Sequence, residues 1–126
     1  AQAMGADFGY IGSAFIATKE ARADEKYKQM IVDSKADDII YSNLFTGVHG
    51  NYLAPSVKAA GMDPNNLPEG DISTMNFGDW DKKPKAWKEI WGCGQGIGSV
   101  TDILNVEDLV LRLEVEYLKA KTRISV

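Results

Sequence analysis

Hydrophobic residues at helical spacing identify the most clearly predicted element, a helix near the end of the chain. One apolar stripe recurs there every three or four positions: Val106, Leu109, Val110, Leu113 and Tyr117. Asn105 is placed to cap the amino end of this helix, acidic residues fill its first turn, and lysines lie near its end. The pattern therefore predicts an amphipathic helix with one face against a core.

Helical spacing is weaker elsewhere but predicts three further helices. Residues 21–34 place Tyr27, Met30 and Ile31 on one side, with Thr18 as a possible cap before them. Residues 51–60 contain a proline near their start and are followed by a glycine, as a short helix would be. Residues 85–91 form a short helix with two tryptophans four positions apart. Residues 1–4 are typical of a last helical turn, which Gly5 would end.

Short apolar runs predict at most two strands. Phe8–Ile11 has the continuous apolar character of a strand buried on both faces, and residues 39–41 form a short extended piece. Residues 43–50 and 62–85 are predicted loops, the second a long loop or lid. A lone buried strand leaves its backbone polar groups without partners. Either the chain is mostly helical and the strand prediction fails, or this strand belongs beside strands that the chain lacks.

Composition narrows the class of protein. The 126 residues are 44% hydrophobic and 25% charged, which is typical of a globular domain. The net charge of −4 argues against a surface that neutralises nucleic-acid phosphates. No apolar run or signal peptide predicts a membrane or secreted protein, and a single cysteine fits a reducing compartment. We therefore expect a cytoplasmic protein.

The turn at Gly12 and Ser13 is the first candidate site. Gly12 lets a ligand approach the backbone, and Ser13 adds a hydroxyl beside it. Successive backbone N–H groups at a strand-to-helix turn bind anions without any lysine or arginine. The spacing is compatible with a phosphate site and equally with an ordinary turn.

Three motifs in order carry a resemblance to a known family. They are Gly5-Ala-Asp-x-x-Tyr-Ile-Gly-Ser-Ala-Phe-Ile-Ala-Thr-Lys-Glu20, Phe45-Thr-Gly-Val-His-Gly50 and Trp91-Gly-Cys-Gly-Gln-Gly96. Their order resembles the carboxy-terminal part of nitronate monooxygenases, formerly called 2-nitropropane dioxygenases, which are FMN-dependent TIM barrels. The resemblance covers nearly the whole chain and is weakest between residues 65 and 83.

The resemblance implies a fold and a set of cofactor contacts. The fold class would be α/β, a carboxy-terminal fragment of a TIM barrel that is itself predominantly α. Residues 1–36 would hold the end of the barrel, with its eighth strand and phosphate loop, and residues 37–126 a helical extension or lid. The residues implied to line the FMN phosphate are Tyr10, Ile11, Gly12 and Ser13. The family usually has Met-Gly-Thr where this chain has Ile11-Gly12-Ser13, an exchange that keeps the glycine and the hydroxyl.

The resemblance also shows what this chain lacks. The family's catalytic histidine stands in an Ala-Gly-Gly-His motif on an upstream strand, and no such motif occurs here. His49 does not match it, so no catalytic residue is assigned within the chain. We therefore expect the chain to be a piece of a longer enzyme, inactive by itself.

A glycine-rich segment near residue 95 is the second candidate site. A dinucleotide-binding loop is rejected because no strand precedes it and no βαβ unit surrounds it. Two interpretations stay open: a flexible hinge, or a loop that reaches over the flavin with Gln95 donating a hydrogen bond to cofactor or substrate. The family commonly has alanine where Cys93 stands.

Other reactive residue types favour structural roles. A lone histidine such as His49 has no positioned partner, and Cys93 has no basic neighbour to lower its pKa. Trp87 and Trp91 could form an aromatic wall for substrate, but packing is favoured. Several acidic residues lack the spacing or histidine company of a metal site, so no metal is expected: Asp33, Asp37, Asp38, Asp79 and Asp81.

The leading hypothesis is a part of an FMN-dependent enzyme that oxidises alkyl nitronates with dioxygen. Its partners would be the small-molecule substrate and the remaining barrel or another copy of the chain, with no nucleic acid and no membrane. A flavin-dependent enoyl reductase of the same barrel superfamily, which uses a nicotinamide donor, is the alternative enzyme. A non-catalytic helical interaction module is the alternative of a different class.

Overall fold

The computed structural model describes residues 1–70 and 89–124, and these form a mixed α/β structure. The helices are α1 (Ser13–Ile16), α2 (Glu25–Asp33), α3 (Ala54–Ala59) and α4 (Val106–Ile124). The strands are β1 (Ile39–Ser42) and β2 (Gly50–Leu53). Single 3-10 turns lie at Gln2–Met4, Ala36–Asp38 and Gln95–Ser99. Helical residues outnumber strand residues in this part of the chain, as expected for the α/β class.

The sheet is an antiparallel hairpin extended by a third segment. Ile39 of β1 faces Leu53 of β2, and Ser42 faces Gly50. The Leu53 amide donates to the Trp91 carbonyl at 2.8 Å, so the segment after residue 90 lies along the other side of β2. The prediction of a helix over residues 51–60 is therefore wrong at its start, because the backbone of residues 51–53 is held by sheet pairing. Helix α3 begins only at Ala54.

Helix α2 begins later than its hydrophobic pattern predicts. The Asp24 side chain accepts a hydrogen bond from the Lys26 amide at 2.8 Å and caps the helix. The predicted cap, Thr18, instead lies buried near the end of α1, where its hydroxyl donates to the Phe15 carbonyl at 2.8 Å. A local capping partner six residues closer to the apolar stripe determines where the helix starts.

The central cluster of the core takes Ile31 from α2, Leu53 from β2 and Ile97 from the 3-10 turn Gln95–Ser99, and its other members lie outside the helices and strands. Its buried apolar members are Ala17, Ile31, Leu53, Cys93, Ile97 and Val100. Three of these six lie between residues 93 and 100, the segment for which a flexible hinge was one interpretation. That interpretation is wrong, because a segment whose Ile97 side chain is completely buried is anchored in the core.

Helix α4 is tied to the body at its amino end. The Asn105 side chain accepts a hydrogen bond from the Asp108 amide at 2.7 Å, which confirms the predicted cap. Both carboxylate oxygens of Glu20 accept from the Val106 amide at 3.0 Å, so a negative charge stands at the positive end of the helix. Leu109 is buried, whereas every residue from Glu114 to Ile124 is exposed. The predicted stripe therefore packs at its start only.

The segment before α1 is not the buried strand that its apolar sequence predicts. Phe8 is 93% exposed, Tyr10 is fully exposed, and residues 8–12 have no regular secondary structure. The described strands pair with each other and with the residue-92 segment, so none of them lies beside Phe8–Ile11. Ahead of it, Gly5 ends a helical turn in the left-handed conformation with φ of 90°, as predicted. A cavity of about 580 Å³ separates residues 1–9 from the end of α4.

Two sequence predictions fall partly or wholly outside the described residues. The long loop over residues 62–85 is described to residue 70, where it has no regular element beyond turns. Most of the helix predicted over residues 85–91, including Trp87, lies outside the described part. No described helix combines the length and apolar character needed to cross a bilayer.

Candidate functional site

The two predicted cofactor motifs meet in the structure. The Gly94 amide donates a hydrogen bond to the Ser13 hydroxyl oxygen at 2.9 Å, although 81 positions separate the two residues in the chain. Helix α1 packs against the 3-10 turn Gln95–Ser99 at the same place. The candidate site is therefore a junction between the Gly12–Ser13 turn and the glycine-rich segment that begins at Gly92.

The start of α1 presents unpaired backbone donors. The Gly12 carbonyl accepts from the Phe15 amide at 3.0 Å and from the Ile16 amide at 3.3 Å, which closes the first turn. The Ser13 and Ala14 amides precede these and donate to no other described residue. Two adjacent N–H groups thus remain for an anion.

Gly12 is not required by the fold that surrounds it. Its backbone angles, φ −109° and ψ −55°, suit any L-residue, and a Cβ at this position would meet no described atom within 4 Å. The contrast is Gly70, where a Cβ would lie 2.3 Å from the Asn43 carbonyl oxygen. The space beside Gly12 is therefore open to a ligand group.

The Ser13 hydroxyl has a proton to give. Because its oxygen already accepts from the Gly94 amide, the hydroxyl proton points away from that bond, and no described acceptor takes it. A phosphate beside Gly12 would then accept hydrogen bonds from this hydroxyl and from the two free backbone amides. The donor set fits a phosphate, an acceptor-only group that backbone N–H groups at a helix start bind well.

Gln95 lies exposed next to this junction on a firmly held segment. The Ile97 amide donates to the Gly94 carbonyl at 3.2 Å, and Ile97 itself is buried in the core. No other described residue takes a hydrogen bond from the Gln95 side chain. A ligand at the junction could therefore be reached by a free amide whose backbone is fixed.

Tyr10 and Ile11 are not gathered into the junction. Both side chains are exposed, Tyr10 completely and Ile11 by 47%. Of the five residues predicted for the cofactor, the structure brings Ser13 against the segment that bears Gln95. Gly12 stands at the open edge of this contact, and the Tyr10 and Ile11 side chains project from the described body.

A stacked pair of aromatic rings packs against the start of the glycine-rich segment. Tyr27 of α2 stacks on Trp91, with ring centroids 4.9 Å apart and an interplanar angle of 16°. The Tyr27 hydroxyl donates to the Gly92 carbonyl. Packing was the favoured interpretation of Trp91, and the stacking supports it. Tyr27 was assigned only to a helix face by its spacing, and no sequence signal identified it as a support of this segment.

Burial keeps two ionisable groups at the junction neutral. Desolvation raises the pKa of Tyr27 to about 12, with the nearby Cys93 as a lesser cause. Desolvation also raises the pKa of Cys93 to about 11. A thiol is nucleophilic only as the thiolate, so Cys93 is a packed side chain at neutral pH.

His49 lies apart from the junction. Its ring stacks on Tyr41, with centroids 4.7 Å apart, in the loop between β1 and β2. Within residues 1–70 and 89–124 no carboxylate forms an ion pair with it. In the same residues no three His, Cys, Asp or Glu side chains converge as metal ligands would.

Comparisons with family models, with curated proteins and with solved structures find no match for this chain. No relative therefore assigns a role to any residue of the junction.

Proposed function

We propose that this chain is part of an FMN-dependent enzyme that oxidises alkyl nitronates with dioxygen. Its contribution is the phosphate cradle of a TIM barrel together with part of the lid. The observation that carries the proposal is the 2.9 Å hydrogen bond between the Gly94 amide and the Ser13 hydroxyl. It joins the two motifs that the family resemblance assigns to the same cofactor.

The phosphate would be held by neutral donors. The Ser13 and Ala14 amides and the Ser13 hydroxyl supply three hydrogen bonds, and Gly12 leaves room for the phosphate to reach them. Barrel phosphate sites commonly use the loops after the last two strands. The acidic net charge of the chain does not oppose this arrangement, because the donors are fixed dipoles at short range.

Gln95 would donate its side-chain amide to the flavin or to the substrate. Its backbone is held by buried neighbours, so the amide would be positioned before ligand arrives. Bound FMN would take electrons from the nitronate and pass them to dioxygen, and the protein would position it. The catalytic histidine of the family would be supplied by an upstream part of the same barrel.

The exposed segment Phe8–Ile11 would be the eighth barrel strand. It needs neighbouring strands to pair its backbone and cover Phe8 and Tyr10, and a longer parent protein would provide them. In the barrel, Tyr10 and Ile11 would then come to line the phosphate together with the turn that follows them. The enzyme and its barrel are cytoplasmic in this proposal.

The decisive experiment measures flavin in the longer parent protein that contains this chain. We expect it to purify with the absorbance of bound FMN. Replacing Gly12 with Leu should remove at least about nine-tenths of that flavin, because the side chain would fill the open space beside the free amides. Ala59→Leu, which places the same side chain at an exposed position of α3, should keep it. A colourless parent, or a Gly12→Leu variant with full flavin content, would contradict the proposal.

A second experiment separates the two flavin reactions. Anaerobic addition of an alkyl nitronate should bleach the flavin, and admission of dioxygen should restore its colour. Bleaching by a nicotinamide donor but not by a nitronate would assign the protein to the enoyl reductases instead. Gln95→Ala should weaken FMN or nitronate binding, whereas Gln29→Ala, on α2, serves as the matched control.

A further inference from the structure

Helix α4 carries a second apolar stripe on the side away from the core. Leu111, Val115 and Leu118 follow one another at spacings of four and three residues and are each about half exposed. The stripe that packs on the body, with Leu109 and Leu113, lies on the opposite side of the helix. The second stripe is therefore an unpartnered hydrophobic face among the described residues.

The spacing of this outer stripe is that of a coiled-coil seam. A four-three repeat places Leu111 and Leu118 at d positions and Val115 at the a position between them. A β-branched residue at a with leucine at d favours two parallel strands over higher oligomers. The seam continues to Thr122, the next a position, giving about two heptads.

Charges beside the seam are complementary between two parallel copies. Glu114 precedes Val115 at a g position, and Lys119 follows Leu118 at an e position. In a parallel pair, Glu114 of one copy faces Lys119 of the other. Both side chains are exposed, and neither forms an ion pair with another described residue.

One heptad earlier the charge pairing repeats, although the a position there is Asp108. Glu107 of one copy would face Arg112 of the other, although Arg112 also binds Asp102 in its own copy at 2.9 Å. An antiparallel pair would instead bring Arg112 of one copy beside Lys119 of the other, which is repulsive. The pairings of Glu107 with Arg112 and of Glu114 with Lys119 favour the parallel arrangement.

We propose that the outer stripe of α4, defined by Leu111, Val115 and Leu118, is a self-association site that pairs with α4 of a second copy as a parallel two-stranded coiled coil. The helix is already capped and anchored at its amino end, so its nucleation is not a cost of association. The seam is short, and the expected dimer is weak, with a dissociation constant on the order of 10–100 µM. This inference does not depend on the proposed flavin chemistry.

The test measures sedimentation equilibrium of the full chain over concentrations up to about 1 mM. We expect a reversible monomer–dimer equilibrium for the natural sequence. Leu118→Asp should raise the dissociation constant by at least about a hundredfold, because it places a charge in the seam. Circular dichroism of the same samples checks that the exposed substitution leaves the fold intact.

Charge reversal tests the parallel arrangement. Glu114→Lys alone and Lys119→Glu alone should each weaken the dimer by about tenfold or more, since each creates like-charge contacts on both sides of the seam. Mixing the two variants should restore association to the natural level, because each reversed charge then faces its opposite. Lys58→Glu, a reversal at an exposed position of α3, should leave the dimer unchanged.

Three results would overturn the inference. They are a chain that stays monomeric throughout the concentration range, a dimer insensitive to Leu118→Asp, and charge variants whose mixture does not recover. A dimer retained in protein that binds no FMN would contradict only the proposed function.

Discussion

Two short segments of this protein differ from their sequence predictions in opposite directions: the predicted buried strand is exposed, and the predicted hinge is buried. Phe8–Ile11 is apolar enough for a buried strand, yet Phe8 is 93% exposed. Residues 92–100 are glycine-rich enough for a hinge, yet they contribute three of the nine buried apolar side chains among the described residues. The Gly94 amide of the second segment donates a hydrogen bond to Ser13, which lies two residues after the end of the first segment. Apolar character therefore does not decide burial here; the presence of a packing partner does.

The difference follows from whether each segment can bury its apolar side chains and pair its backbone groups without a second strand. Cys93, Ile97 and Val100 are spaced so that a tight turn can point all three into one core while the intervening glycines stay outside. A strand cannot form these hydrogen bonds within itself, because its backbone N–H and C=O groups need a second strand. Phe8–Ile11 finds none among the described residues.

The largest expected effect is the loss of a core side chain. Ile97→Ala should lower the free energy of unfolding by about 2–4 kcal/mol, because the side chain is completely buried and its removal leaves a cavity. Phe8→Ala, which removes a larger but exposed side chain, should change it by less than about 0.5 kcal/mol. Urea denaturation of both variants of this chain measures the difference. Equal losses would mean that Phe8 is packed in solution and would remove the contrast between the segments.

The second-largest expected effect is a loss of stability at alkaline pH, caused by ionisation of Cys93 in the segment of residues 92–100. The folded state keeps the Cys93 thiol protonated up to a pKa of about 11, whereas its ordinary value is 9.0. Its contribution to stability is thus complete below about pH 9 and is lost as pH rises to about 11, with a total on the order of 1–2 kcal/mol. Denaturation of the natural chain and of Cys93→Ala across this range should give a steeper decline for the natural chain. Parallel declines would show that burial does not protect this thiol.

The hydrogen bond between Ser13 and Gly94 should have a smaller effect on stability. Ser13→Ala removes the acceptor of the Gly94 amide and should cost about 1 kcal/mol of stability. Ser13→Thr keeps a hydroxyl and should retain most of it. Hydrogen exchange at the Gly94 amide measures the local bond directly, and unchanged protection in Ser13→Ala would refute the junction.

The smallest expected effect is at the glycine of the candidate site. Gly12→Ala should change the stability of this chain by less than about 0.5 kcal/mol, because a Cβ meets nothing there. Gly70→Ala is the control and should cost more than about 1 kcal/mol, since its Cβ would collide with the Asn43 backbone. Thermal unfolding of the two variants compares them. A strongly destabilised Gly12→Ala variant would make Gly12 a structural glycine.

Local signals predicted the elements whose causes are local. The Asn105 cap and the helix after it follow from a side chain and the amides within three positions of it. The left-handed Gly5 is likewise a local requirement. Residues 51–53 were assigned to a helix because their strand character depends on pairing with β1 and on the Trp91 carbonyl, neither of which a local pattern contains.

The candidate site divides in the same way. Gly12 and Ser13 were selected from a local turn pattern and Gln95 from a glycine-rich segment, with support from the family resemblance. The hydrogen bond that brings Ser13 to Gly94 spans 81 positions and belongs to the tertiary structure. The role of Tyr27 could not be predicted from the sequence, because its hydroxyl donates to the Gly92 carbonyl across 65 positions. The outer stripe of α4 was present in the sequence but could not be separated from the packed stripe until the buried side of the helix was known.

By itself the sequence predicted a largely helical chain with little strand, the capped last helix and the residue types from which a phosphate site can be built. Only the tertiary structure decided which apolar segment is buried, where the two glycine motifs meet and which face of α4 remains free. The physical reason is range: capping and turn preferences act within a few residues. Burial and sheet pairing depend on neighbours that are distant in the chain.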